Sequence, residues 1–464
     1  MPAMSTSQVA QPPSIDDQLP MAGSSTSNPA AAAAATAQGS RRATFFTTYG
    51  DAAKALRPRL HPSVAAFLAA ARAPDAPLFY FADGMPCPHG DFGGLFDNWT
   101  ADFMDEPEDS IVRLYISNLD ACGADTELAF PVDEYPQNWH PLETILSNWI
   151  ALIRLGKVVA SPNDEEPALY GSLKVGNWEW RPYSDAQVAG CVAAWDRLCD
   201  AIEVRRRQNR HGSTTVDDDA DNIGNRHEES LLTPMAMDAA KIPDPSFARS
   251  FLGLARRPRH IRQIAPGLSL PPADAAAFAA AQPFTHLPRR VPQWDGTEGE
   301  DIVPPVYVFF SEPGAPQIGV SDSRRPFPFR LAWCGGHQTP PDGIAFPSRV
   351  PPGVYTECLV RNEPEPTEEA FRMLLPFNLY GARLSSGAEM KNRSPDELFQ
   401  HGFKPFGGNP HRPQRLERLL EHWEDLVERG VWSVGPHGVQ GSIEVFRDAT
   451  ANGADYTIPS SWWS

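Results

Sequence analysis

Residues 142–156 read LETILSNWIALIRLG and residues 416–430 read LERLLEHWEDLVERG. Leu142, Ile145, Leu146, Trp149, Leu152 and Ile153 fall at offsets 0, 3, 4, 7, 10 and 11, and Leu416, Leu419, Leu420, Trp423, Leu426 and Val427 fall at the same offsets. Each set makes one apolar stripe along an α-helix. Each stripe ends at a glycine, Gly156 or Gly430, which can enter the left-handed conformation that commonly closes a helix. Short β-prone runs follow, Lys157 to Ala160 and Val431 to Val434, and then a Gly-Ser-aliphatic-x-Val segment, GSLKV at 171 and GSIEV at 441. In an extended chain Leu173 and Val175 share one face, as do Ile443 and Val445. The expected unit is helix, tight turn and hairpin, used twice, with Trp149 and Trp423 as core anchors.

The rest of the chain divides around these phrases. Residues 1–42 are rich in Ser, Ala and Pro, with alanines from Ala30 to Ala35, and are expected to be a disordered tail. Residues 43–204 are expected to form a first α+β unit. It has a helix over Pro62 to Arg72, strands at Leu78 to Phe81 and Ile111 to Ile116, the first repeated phrase, and a helix from Asp185 to Glu203. The stretch 205–232 holds few large apolar groups and is expected to be a disordered charged linker. Residues 233–464 are expected to form the second α+β unit. Its strands are placed at Val306 to Phe310, Phe329 to Trp333 and Tyr355 to Val360, with a helix near Thr367 to Leu375 before the second phrase. LFYFADG and VYVFFSEPG occupy comparable places ahead of the two phrases. Strands, then helix, then hairpin in each half argues for an α+β fold of two related units packed as pseudo-symmetric halves.

At 464 residues, with 12 Trp and 24 Phe, the chain can fill substantial cores, and its 48 prolines, about twice the usual share, imply irregular connections between short strands. A formal net charge of −18 disfavours general binding to nucleic acid or to an anionic membrane. Six scattered cysteines without a CxxC pair suit reduced thiols in a cytoplasmic or nuclear setting. Neither a secretory signal nor an apolar stretch of membrane-spanning length is read in the sequence.

Chemistry is sparse. PCPHGDFGG, residues 86–94, brings Cys87, His89 and Asp91 to alternate positions in a turn-rich loop, residue types able to make a nucleophilic or metal site. CGGH, residues 334–337, has ligand-like spacing, so Cys87, His89, Cys334 and His337 would make a two-Cys, two-His zinc set if the halves faced each other. The alternative is separate Gly-rich loops with incidental Cys and His, and no cofactor is expected. The segment from Arg249 to Arg262 carries five arginines, suited to an anionic partner or to the protein's own carboxylates. The run from Arg205 to His211 reads either as a nuclear address or as the solvated end of a helix. Trp178 and Trp180 alternate on one strand face, and Trp462 and Trp463 end the chain, as packing groups or as the lining of a hydrophobic groove. The acidic residues Asp102, Asp105, Glu106, Glu108 and Asp109 read as a solvated loop. The nucleophile-elbow, dinucleotide, P-loop and HExxH motifs are absent.

The phrases ARRPRHIRQIAPGLSLP, residues 255–271, and SIEVFRDATANGADYTIPSSWW, residues 442–463, together with the Ala- and Pro-rich tail, resemble a family of uncharacterised proteins of filamentous fungi. The resemblance carries no catalytic residue. It implies an accessory role beside specialised-metabolism genes. The expected function is a non-catalytic binding or scaffold protein, with a protein or a hydrophobic small molecule as partner. The alternatives are an enzyme of unfamiliar class in fungal specialised metabolism, with its site between the units, and a nuclear regulator.

Overall fold

A computed structural model describes residues 44–59, 62–71, 147, 150–162, 164–169, 171–175, 178–210, 229–287, 302–319, 347–360, 367–390, 396–402 and 413–459. Three short helices open it, α1 (Phe45–Thr48), α2 (Gly50–Leu56) and α3 (Pro62–Ala70). Strands β1 (Val158–Ala160), β2 (Leu173–Val175) and β3 (Trp178–Trp180) form an antiparallel sheet with β3 in the centre. Helix α4 (Asp185–Arg210) follows, then α5 (Pro234–Ala239), α6 (Phe247–Leu254), β4 (Gln263–Ala265), β5 (Leu268–Ser269) and α7 (Ala275–Ala281). The remaining strands are β6 (Ile302–Val303), β7 (Tyr307–Ser311), β8 (Ile318–Gly319), β9 (Arg349–Val350), β10 (Gly353–Thr356), β11 (Leu359–Val360) and β12 (Phe371–Leu374). Helix α8 (Leu416–Glu428) precedes the hairpin of β13 (Val434–Gly435) and β14 (Gly438–Val439).

The largest sheet runs in the order β12-β10-β7-β5-β4-β14-β13, with every neighbour pair antiparallel except β14 with β4. Helices and several sheets in one chain make this an α+β protein. One apolar core contains residues from Tyr183 to Ile458, including Trp195 of α4, Phe309 of β7 and Trp423 of α8. The Trp195 and Phe309 rings stack at 5.5 Å. Residue 204, placed at a unit boundary by the sequence, lies inside α4, which continues to Arg210. Arg206, in the middle of the basic run, is buried and paired with Glu203 at 2.9 Å. Among the described residues no helix is long and apolar enough to cross a membrane.

The two repeated phrases end alike. Gly156 has φ +70° and Gly430 has φ +72°. Gly156 donates its N–H to Ile153 O at 3.0 Å and Lys157 donates to Leu152 O at 3.0 Å; Gly430 donates to Val427 O at 3.1 Å and Val431 to Leu426 O at 3.0 Å. Both are Schellman stops, the paired bonds that satisfy the last carbonyls of a helix. The stripe of α8 is fully buried, with all six of its apolar residues at 0% exposure. In the first phrase Ile150 and Ile153 are exposed, and Trp149 lies outside the described residues.

Beyond the stops the two segments part. GSLKV enters strand β2, as its alternation predicts. GSIEV does not form a strand: Ile443–Thr450 is a 3₁₀ helix. Its buried residues are Ile443, Phe446 and Ala449, spaced by three, the repeat of a 3₁₀ helix and not of a strand. The helix expected near Thr367 to Leu375 is also corrected, because Phe371–Leu374 is strand β12, buried at all four positions. A run with no solvent face suits a covered strand better than an amphipathic helix. Its outer edge is closed by Gln414, whose carbonyl accepts from Phe371 N at 3.1 Å. The strands expected at Leu78 to Phe81, Ile111 to Ile116 and Phe329 to Trp333 lie outside the described residues.

Candidate functional site

Several buried charges pair with one another inside the fold. Lys157, at 1% exposure, donates to Glu369 Oε2 at 3.0 Å and to Pro182 O at 2.7 Å, and Gln187 Nε2 donates to Glu369 Oε1 at 2.6 Å. Arg372 reaches Glu357 Oε2 at 2.5 Å and Asp396 Oδ2 at 2.9 Å, all three residues buried. Burial pushes the Glu357 carboxyl above its ordinary pKa against the pull of Arg372. These charges are committed to one another, which suits bracing better than ligand capture.

The residues singled out by sequence separate into several cases. Cys87, His89, Asp91, Cys334 and His337 lie outside the described residues, as do Trp462 and Trp463. Among the described residues no group of three or more His, Cys, Asp or Glu could hold a metal ion. Trp180 is buried on β3, and Trp178 is partly buried on the same strand. Within the arginine-rich segment, Arg256 pairs with Asp196 at 2.8 Å and also with Asp200, while Arg257 donates to Pro271 O at 2.9 Å. Cys191 and Cys199 are buried in α4, and desolvation raises both thiol pKa values, leaving them poor nucleophiles.

Arg249 lines a cavity. The cavity, of about 570 Å³, is bordered by Asp238, Lys241, Ile242, Asp244, Arg249, Thr285, His286 and Leu287. That volume lies within the range of small-molecule sites. Three pieces of local structure build it. Helix α5 starts at Thr233, whose hydroxyl accepts from Ala236 N, and delivers Asp238 and Lys241 at its far end. Ser246 caps α6 in the same way, accepting from Arg249 N at 3.2 Å, and so sets the first turn that carries Arg249. The segment after α7 supplies Thr285, His286 and Leu287.

Arg249 ties the first two pieces together. Its Nη2 meets Asp238 Oδ1 at 2.6 Å, its Nε meets Asp244 Oδ2 at 3.2 Å, and its Nη1 donates to Ile242 O at 3.4 Å. The arginine side chain is 15% exposed, whereas those of Asp238 and Asp244 are 66% and 70% exposed. Each carboxylate spends one oxygen on the guanidinium while its side chain stays largely exposed. Thr285 is 4% exposed. Ile242 and Leu287 are buried and give the cavity an apolar floor.

The backbone at this cavity is strained. Lys241 donates to Asp238 O at 3.0 Å and Ile242 donates to Met237 O at 3.0 Å, so α5 ends in the same Schellman geometry as the two repeated helices. The left-handed position holds a lysine with φ +56° and not a glycine. A side chain there costs about 1 kcal/mol in backbone conformation. Sequence reading missed this site because its charges come from three separated segments, and only the isolated Arg249 belonged to a visible pattern. The signal that could have found it is a helix stop without its glycine, in MDAAKIPDP.

No family model, curated protein or solved structure matches this chain.

Proposed function

We propose that this protein is a non-catalytic binding protein whose ligand occupies the charged cleft between α5, α6 and the segment after α7. The observation that carries the reading is Lys241. A glycine would close α5 without strain, yet the position holds a long cation at the rim of a ligand-sized cavity. Strain held at a concave, charged place is what a binding site accepts in exchange for a positioned group. Arg249 holds Asp238 and Asp244, so these charges are set before a ligand arrives and little ordering is needed on binding.

The reading is tested with Lys241→Gly. That substitution relieves the left-handed strain and removes the cation, so stability and binding move in opposite directions. The full chain is screened by thermal shift against a panel of small polar organic compounds, and each stabilising compound is retested on the variant. The expected result is a variant that unfolds at higher temperature, by about 1 kcal/mol of stability, and responds less to the compounds. A variant that responds to every compound as the wild type does would remove this cleft as the site.

A further inference from the structure

Asn452 and Gly453 form the one Asn-Gly pair in the sequence, and every other asparagine precedes a residue that bears a side chain. The distinction is chemical. The main-chain nitrogen that follows an asparagine can attack that asparagine's own side-chain amide, and glycine, which lacks a Cβ, obstructs the approach least.

The fold leaves both reacting groups available. Asn452 joins two 3₁₀ helices, Ile443–Thr450 and Gly453–Tyr456, and stands exposed with φ −118° and ψ 49°, outside helical geometry. Its side chain makes no capping bond to the second helix. Gly453 is the first residue of that helix, where an N–H has no partner inside the helix, and among the described residues it has none elsewhere. A Cβ built at Gly453 would meet nothing within 4 Å, so the joint is uncrowded.

The main chain around the joint carries the end of α8. Asn452 donates its N–H to Asp448 O at 2.7 Å, and its carbonyl accepts from Asp455 N at 2.9 Å. Asp455 in turn takes His422 Nε2 on its carbonyl at 2.9 Å and Arg429 Nη2 on its carboxylate at 2.9 Å. A change of main-chain length at Asn452 therefore reaches α8 through Asp455.

We propose that Asn452 is a self-modification site, where spontaneous deamidation lengthens the joint and loosens its hold on α8. The Gly453 nitrogen gives up its proton to water or hydroxide and attacks Asn452 Cγ. A new N–C bond forms, the bond from Cγ to Nδ2 breaks, and ammonia leaves with a proton from solvent. The product is a five-membered succinimide. Water then opens the ring at one of its two carbonyls: one opening leaves an aspartate, and the other leaves an isoaspartate whose main chain runs through the side chain and is one methylene longer.

The test is peptide mass spectrometry of the full chain after incubation at mildly acidic and mildly alkaline pH. Asn452 is the only side-chain amide in the tryptic peptide 448–464, so a gain of the mass that separates an acid from an amide reports on it alone. The gain should be faster at alkaline pH and faster than at any other asparagine, and an isoaspartyl-specific carboxyl methyltransferase should label the product. Gly453→Ala is tolerated by the fold, since φ there is not positive and the Cβ has room, and it should slow the gain several-fold. Asn452→Gln, which would have to close a six-membered ring, should abolish it. The isoaspartyl fraction, separated by ion exchange, should melt below the unmodified chain, whereas Asn452→Asp, which adds the charge without the methylene, should melt close to it. A native chain that keeps this amide while the chain in urea loses it would overturn the proposal, as would an equal rate in Gly453→Ala. An isoaspartyl fraction that melts with the unmodified chain would overturn the link to α8.

Discussion

Lys157 and Glu369 lie 212 positions apart and meet in the interior as an ion pair of 3.0 Å, with both side chains at 5% exposure or less. Lys157 is the residue that follows the helix stop at Gly156, and Glu369 stands two residues before strand β12. The pair therefore joins the end of the first repeated phrase to the edge of the largest sheet. Gln187 of α4 donates to the second oxygen of the same carboxylate, so three distant stretches converge on one group.

Removing one partner of such a pair leaves a charge buried without its counter-ion. Lys157→Met should destabilise the chain by about 3–5 kcal/mol, whereas Lys157→Met combined with Glu369→Leu should recover a large part of the loss. Urea unfolding of the wild type, the single variant and the double variant measures both. A double variant as unstable as the single one would show that the cost lies in packing and not in the stranded carboxylate.

His422 on α8 is buried, and its Nε2 lies 2.9 Å from Asp455 O. A carbonyl only accepts, so Nε2 carries the proton in the neutral ring. Burial lowers its pKa below the ordinary 6.5. In the window below about 6.5 the unfolded chain binds a proton that the folded chain does not, so this group's contribution is complete above that pH and declines as the pH falls. The melting temperature should drop between pH 7 and 5, and the drop should be shallower in His422→Gln.

Two glycines of positive φ should respond very differently to alanine. A Cβ at Gly430 would meet nothing within 4 Å, so Gly430→Ala costs only the conformational strain of the helix stop, about 1 kcal/mol. A Cβ at Gly438 would stand 2.0 Å from Gln263 O, where β14 runs parallel to β4. Gly438→Ala must push the two strands apart and should cost about 3 kcal/mol or more. Equal losses in chemical denaturation would contradict the close approach.

The thiols of Cys191, Cys199 and Cys358 are buried. Desolvation holds Cys191 and Cys199 protonated near neutral pH, and only the thiolate attacks an alkylating agent. Peptide mass spectrometry after iodoacetamide treatment of the native chain should find both unmodified, with labelling appearing only in denaturant. Rapid native labelling of either would mean that α4 opens readily.

Periodicity read from the chain located α3, α4 and α8 and missed α1, α2, α5, α6 and α7. Thirteen residues of α8, the start of α4 at Asp185 and the glycine stops at 156 and 430 all follow from local spacing. It failed where local pattern was ambiguous. Phe371–Leu374 is an apolar run broken by one arginine, and nothing nearby in sequence reveals that Glu357 and Asp396 will neutralise Arg372 inside a sheet. GSLKV and GSIEV share their first residues in type, but Phe446 and Ala449 continue a three-residue repeat that the first copy lacks. The cleft was less legible still, since no motif spans Asp238, Arg249 and Thr285.

The sequence by itself determined the helical stripe of α8 and the stops that end both repeated helices, because these depend on neighbours within one or two turns. Only the tertiary structure decided that the α8 stripe is buried while Ile150 and Ile153 stay exposed, that Lys157 finds Glu369, and that Lys241, Asp244 and Thr285 border one cavity. Burial and charge pairing are properties of groups brought together across long loops. Their free energy depends on which surface lies opposite, and a local spacing carries no record of that.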